Sequence, residues 1–300
     1  GNIDWSPGRH VVLKQRILTA LVLAAVFLSA LFGLPPAFFV LFVLAVCLTG
    51  AWEWADLAGC SRRLLRSFYV GGCALVFVLI GYYLSLGSWP LSADAPTFSS
   101  AQLDAFRNFL VLACLWWALA LLWVQSYPQS TLLWGSRWVR AVMGLLVLVP
   151  AGVALVFIRV QESGAALIVL LVLIVASADI GAFFAGRRWG RHKLAANVSP
   201  GKTWQGFAGG VVANLLLALL VWWFAGASLG YWLVLIVPAS LVSVLGDLLE
   251  SMLKRHRGIK DSGVILPGHG GILDRLDSLT AAAPVFALAL LASGGLQAVI

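Results

Sequence analysis

The chain has 300 residues, of which 61% are apolar and only 11% charged, against roughly 45–50% apolar in soluble domains. With a mean hydropathy of +0.97, this excludes a soluble globular domain and points to an all-α polytopic membrane protein, because hydrocarbon offers the backbone no hydrogen-bond partners and a crossing helix needs roughly 20 residues. The net charge of +8 falls in short clusters between apolar runs rather than on one folded face, which suits membrane orientation and gives no reason to invoke nucleic acid.

In chain order, residues 1–15 form an N-terminal extension unlike the apolar runs after it and are assigned no function. The run from Ile17 to Leu34 is long for a signal-peptide core and lacks an A-x-A cleavage site, so it reads as a retained first span. Apolar runs broken by Gly, Pro and charge predict nine spans, at 16–33, 36–58, 68–88, 108–125, 138–158, 164–186, 204–226, 229–252 and 279–299. "GLPP" at 33–36 and "AGASLG" at 225–230 are tight turns between neighbouring spans. Residues 16–158 form an N-terminal membrane region and 159–300 a C-terminal catalytic one.

An N-terminus inside and a C-terminus outside place 18 of the 20 Lys and Arg on the cytoplasmic side, leaving Arg107 and Arg159 outside. The longest outer loop, 89–107, is acidic, has no ligand cluster and reads as a solvated connector. Cys47, Cys60, Cys73 and Cys114 lack metal-like spacing and read as reduced packing residues. Trp52 and Trp54 suggest an interfacial girdle in which Glu53 and Asp56 reach water, and those two carboxylates are left unassigned.

Two cytoplasmic segments remain for chemistry, 187–203 and 254–277, the second carrying eight charges in 24 positions. In the first, "SPGKT" at 199–203 fails the Walker pattern because position 196 is Ala. Ser199 and Lys202 either bind a phosphate or belong to a capped helix start that Pro200 opens. Asp179, two turns inside the sixth span, is a functional candidate because an intramembrane carboxylate is costly; Gly181 and Gly186 near it permit close helix packing.

In the second segment Asp274 and Asp277 share a helix face, as two converging carboxylates or as charge placed at a helix start. Asp247 and Glu250 need partners, either Lys254 and Arg255 one turn on or a cation shared with Asp274 and Asp277, for which hard oxygen donors suit magnesium. Gly263, Gly268, Gly270 and Gly271 around Pro267 let backbone amides turn toward a phosphate. Lys254, Arg255, Arg257 and Lys260 add positive charge, which membrane anchoring explains equally well. Asp261 and His269 lie among them; His269 either does chemistry or hydrogen-bonds the turn.

Ser251 to Asp277 resembles the signature of phosphatidate cytidylyltransferases (CDP-diacylglycerol synthases), S-x-x-K-R, four residues, K-D, a Gly, then P-x-H-G-G-x-x-D-R-x-D, with every fixed position filled. The likeness extends to Asp179 and to "SPGKTWQG" at 199–206, about the C-terminal 40% of the chain, with one departure at Gln205, where Glu is common in the family.

The resemblance implies attack of the phosphate of phosphatidic acid on the α-phosphorus of CTP, giving CDP-diacylglycerol and pyrophosphate. It implies Mg2+ held by Asp247, Asp274 and Asp277 with a second cation nearby. Lys254, Arg255, Lys260 and Arg275 would neutralise the phosphates, with Asp261 and His269 as further catalytic candidates. Asp179, Ser199, Lys202, Gly270 and Gly271 would line the substrate pocket. The implied setting is a homodimer in the bacterial inner membrane with its site facing the cytoplasm. Competing readings are a related lipid-phosphate or polyprenol enzyme, a CDP-alcohol phosphotransferase, whose D-G-x-x-A-R pattern is absent, and a transporter.

Overall fold

The computed structural model describes residues 7–86, 98–266, 268 and 270–294. Its helices are α1 (Pro7–Gly33), α2 (Pro36–Ala58), α3 (Arg63–Tyr83), α4 (Ser100–Gln125), a single turn α5 (Thr131–Trp134), α6 (Arg137–Arg159), α7 (Gly164–Trp189), α8 (Trp204–Ala225), α9 (Leu229–Arg257) and α10 (Leu273–Ala292). Between α7 and α8 runs an antiparallel hairpin of β1 (Lys193–Ala195) and β2 (Ser199–Thr203). Among the described residues eight helices, α2–α4 and α6–α10, are long and apolar enough to cross a membrane; α1 contributes a shorter apolar segment, Ile17–Gly33.

Caps set the boundaries, and they move several predicted ends. Ser99 accepts a bond from the Gln102 amide (3.3 Å) while Gln102 Oε1 accepts one from the Ser99 amide (2.9 Å), so α4 starts at Ser100 instead of 108. The third span runs over 63–83 instead of 68–88. Thr203 caps α8 through the Gly206 amide (3.1 Å). Pro200 therefore opens no helix; it lies in β2, where the sequence suggested a helix start. Helix α9 continues five residues past 252 to a left-handed Gly258 (φ 68°), and α10 begins at Leu273, six residues before the predicted 279.

Packing follows small residues. Helices α7 and α8 pack along each other, and a Cβ on Gly181 would stand 2.5 Å from the Gly209 carbonyl. Asn214, buried on α8, joins three helices by accepting from Ser177 Oγ (2.9 Å) and donating to Ser240 Oγ (2.7 Å) and the Ile174 carbonyl (3.1 Å). Helices α9 and α10 cross so closely at Gly246 that a methyl there would collide with the Asp277 carbonyl.

The apolar interior has two parts: Phe39, Phe106, Phe157, Ile168 and Phe286 toward one end, and Trp54, Trp117, Trp134, Met143, Leu249 and Leu253 toward the other. The second part underlies the polar segments 187–203 and 254–277. All four cysteines are free. Residues 87–97, which include the first nine positions of the predicted outer loop at 89–107, lie outside the described residues, and the loop's last eight positions belong to α4.

Candidate active site

Both polar segments gather at one end of the bundle. Arg257 Nε donates to the Asp56 carbonyl (3.1 Å), Arg255 Nε to the Val198 carbonyl (3.3 Å) and Asn197 Nδ2 to the Tyr127 carbonyl (3.3 Å), so the ends of α2, α4, α9 and the hairpin meet. Arg159 lies at the opposite end, bonded to the carbonyls of Leu31 and Leu34.

Two lysine-carboxylate groups form the centre. Lys202, on β2, stands 2.6 Å from Asp247 on α9, with both side chains partly exposed. Lys254, on the last turns of α9, stands 2.7 Å from Asp274 and 3.2 Å from Glu250, and all three are largely enclosed. Glu250 Oε1 faces that ammonium at 3.2 Å without a well-directed hydrogen bond. Asp277, one turn after Asp274, takes a bond from the Ser278 amide (2.7 Å) and lies within electrostatic reach of Asp247, Lys254 and Lys202. Asp179 on α7 feels Lys202 and Asp247 in the same way. Asp179, Asp247, Glu250, Asp274 and Asp277 thus share two ammonium groups, an excess of hard oxygen that suits a divalent cation.

Asp247 and Asp277 adjoin the α9–α10 crossing, where Asp277 lies within electrostatic reach of Asp247. Asp274 is more heavily engaged: its Oδ2 accepts from the amides of Ser262 (2.9 Å) and Gly271 (2.8 Å) and from Ser262 Oγ (3.0 Å), and its Oδ1 holds Lys254. Among the described residues no three His, Cys, Asp or Glu already form a metal cage.

Beside this centre lies a cavity of about 380 Å3 between α7, α8, the hairpin and α9, lined by Asp179, Arg187 and Lys202 on one hand and Phe183, Phe207 and Val244 on the other. Phe183 and Trp204 are exposed on the outer faces of α7 and α8, so the cavity adjoins the surface that meets lipid. It can therefore present cations to an anionic head and apolar walls to the hydrocarbon attached to it.

The structure thus places Asp179, Lys202, Asp247, Lys254, Asp274 and Asp277 at one end of the bundle. Gly270 (φ 81°) and Gly271 shape the loop: a Cβ on Gly270 would stand 2.9 Å from Asp274 Oδ2. Lys260 and Asp261 are exposed on that loop, and Arg275 is exposed on α10. Arg255 turns outward to the hairpin carbonyl, and Ser199 pairs with Ala195 outside the cavity lining, so neither stands with the central group. His269 and Pro267 lie outside the described residues. Gln205 accepts from the amides of Arg191 (3.1 Å) and His192 (3.2 Å), closing the start of the hairpin.

Glu53 corrects the girdle reading: it is 2% exposed, as is Trp54, and it accepts from the amides of Ile272 (3.0 Å) and Leu273 (2.9 Å). The available signal was its helix face, shared with Gly50 and Leu57, which buries it. Asp56 is ion-paired with Arg66 at 2.7 Å.

Comparison with known proteins agrees with this geometry. Residues 14–293 match the cytidylyltransferase family, which is nearly the whole chain. The chain belongs to that family. A phosphatidate cytidylyltransferase of Pseudomonas aeruginosa is 46% identical over 286 residues, covering 94% of this chain and 98% of the relative. Those of Haemophilus influenzae (39% over 289 residues, 92% and 97% covered) and Brucella suis (37% over 278 residues, 92% of each) are also similar. The family match over residues 14–293 includes both lysine-carboxylate groups.

Proposed function

We propose that this protein is a phosphatidate cytidylyltransferase, moving CMP from CTP to phosphatidic acid to give CDP-diacylglycerol and pyrophosphate. The observation that carries the reading is the Lys202–Asp247 pair at a cavity lined both by Lys202 and Arg187 and by Phe183, Phe207 and Val244, with the Lys254–Asp274–Glu250 group at the same end of the bundle. A nucleotide reaches such a site from water and a lipid phosphate reaches it from the bilayer.

In the reaction an oxygen of the lipid phosphate forms a bond to the α-phosphorus of CTP, and the bond from that phosphorus to the pyrophosphate oxygen breaks. The nucleophile is already ionised near neutral pH, so the barrier is chiefly the approach of anions. Lys202 and Lys254, now held by Asp247 and by Asp274 and Glu250, offset that charge by turning to phosphate oxygens. Arg187, Lys260 and Arg275 add to the field, and Asp179 limits how much anionic charge the cavity accepts.

Asp247 and Asp277 would hold Mg2+, with Asp274 completing the set through the oxygen Lys254 occupies. The cation would supply charge neutralisation on the triphosphate. We place the site on the cytoplasmic side of a bacterial inner membrane, with the N-terminus inside and the C-terminus outside, on the strength of the basic residues gathered at this end. The family resemblance supports a homodimer. Conversion of labelled CTP and phosphatidic acid to labelled CDP-diacylglycerol, with magnesium and with a chelator, tests the reading; no lipid product from folded protein with magnesium refutes it.

A further inference from the structure

Glu53 lies on α2, far from the signature in sequence, yet its carboxylate enters the signature loop. Oε1 accepts from the Ile272 amide (3.0 Å) and Oε2 from the Leu273 amide (2.9 Å), two of the backbone donors that the start of α10 leaves open. Ser262 Oγ stands 3.3 Å from Glu53 Oε2 and 3.0 Å from Asp274 Oδ2, so its one proton is shared between two carboxylates. Asp274 continues the chain to Lys254 through its other oxygen.

Two glycines are the counterpart of this carboxylate. A Cβ on Gly263 would overlap Glu53 Oε1, and one on Gly271 would stand 2.6 Å from Oε2 and overlap Ser262 Oγ. Their lack of a side chain is thus required by the approach of Glu53. Glu53 and Ser262 are 2% and 3% exposed, so water does not replace these bonds. An uncompensated carboxylate would be costly there; its donors make the arrangement stable, and a neutral substitute would lose charge-assisted bonds.

We propose that Glu53 is a positioning residue for the transfer reaction: it fixes Ser262, Gly263, Gly271 and Ile272 at the two ends of the signature loop and the start of α10, and through Ser262 and Asp274 it sets where Lys254 points. This rests on the proposed cytidylyl transfer. Glu53 does not line the cavity, so its loss leaves substrate entry largely intact and disturbs the arrangement that reacts.

The test uses the full chain in detergent, with CTP and phosphatidic acid micelles. Glu53→Gln keeps the shape and one acceptor; Glu53→Ala removes both. For Glu53→Gln the expected result is a kcat lower by about tenfold, the worth of one weakened charge-assisted bond, with KM for CTP changed less than about threefold. Hydrogen exchange should quicken across 258–273 and stay unchanged in α7 and α8. Combining Glu53→Gln with Ser262→Ala should lower kcat by less than the product of the separate effects, because both act on one loop.

Wild-type kcat in Glu53→Gln overturns the proposal, as does a loss of kcat with unchanged loop exchange or with exchange raised through the whole bundle. If Glu53→Ala does not fold, the Gln variant still decides. If the wild-type protein makes no CDP-diacylglycerol, the functional reading fails, while loop exchange in Glu53→Gln still reports whether Glu53 holds the loop.

Discussion

Replacing Lys254 with alanine tests whether the central charges are structural as well as chemical. From the sequence Lys254 belongs to a loop, where removing it would leave the fold intact. The structure puts it on α9 with 14% of its side chain exposed, against Glu250 at 3% and Asp274 at 8%. Lys254→Ala would leave two enclosed carboxylates without their ammonium, and breaking a buried pair in this way costs about 3–5 kcal/mol. That is roughly two to four orders of magnitude in the folding equilibrium. The pair Lys202–Asp247, with side chains 24% and 32% exposed, is screened by water, so Lys202→Ala should cost about 1 kcal/mol or less. Unfolding of both variants in mixed micelles measures the difference. Lys254→Met combined with Glu250→Gln should recover much of the loss, because the carboxylate without a well-directed hydrogen bond at Oε1 is then neutral. A Lys254→Ala protein within about 1 kcal/mol of wild type, well below the range for a broken buried pair, would refute the reasoning.

Asp247→Asn and Asp277→Asn should lower turnover by orders of magnitude with partial recovery at high magnesium, whereas Asp274→Asn should also lower thermal stability, since its Oδ2 accepts three bonds; a magnesium titration beside melting curves separates them. Gly246→Ala should force α9 and α10 apart and cost about 1–3 kcal/mol, the usual range for overpacking, read by unfolding in the same micelles. Lys202→Ala should keep its fold yet lose about tenfold or more in turnover, measured by lipid product per folded molecule.

Hydropathy located the helices because a membrane span must be continuously apolar, and the clustering of Lys and Arg showed that both polar segments share one end. The signature spacing likewise marked Asp274, Asp277 and Lys254. What it did not show is pairing across the fold. The partner of Lys202 is Asp247, 45 positions away, and the donors to Glu53 come from residues more than 200 positions on. Arg255 and Lys254 look alike as neighbours in sequence, but adjacent positions on a helix point apart, and only Lys254 faces α10. The hairpin was hidden because three residues of β1 and five of β2 are too few for a periodic signal. Glu53 was misread for a related reason: flanking tryptophans suggest an interface, while the direction of the side chain is decided by the packing of α2 on the rest of the bundle.

The most direct measurement tracks two labels of CTP, one in the α-phosphate and one in the γ-phosphate, through a reaction with phosphatidic acid and magnesium. The α label should enter the lipid as CDP-diacylglycerol while the γ label leaves as pyrophosphate, and both should stop with Asp277→Asn. Transfer of the γ label to lipid, or no lipid labelling by folded wild-type protein, would contradict cytidylyl transfer.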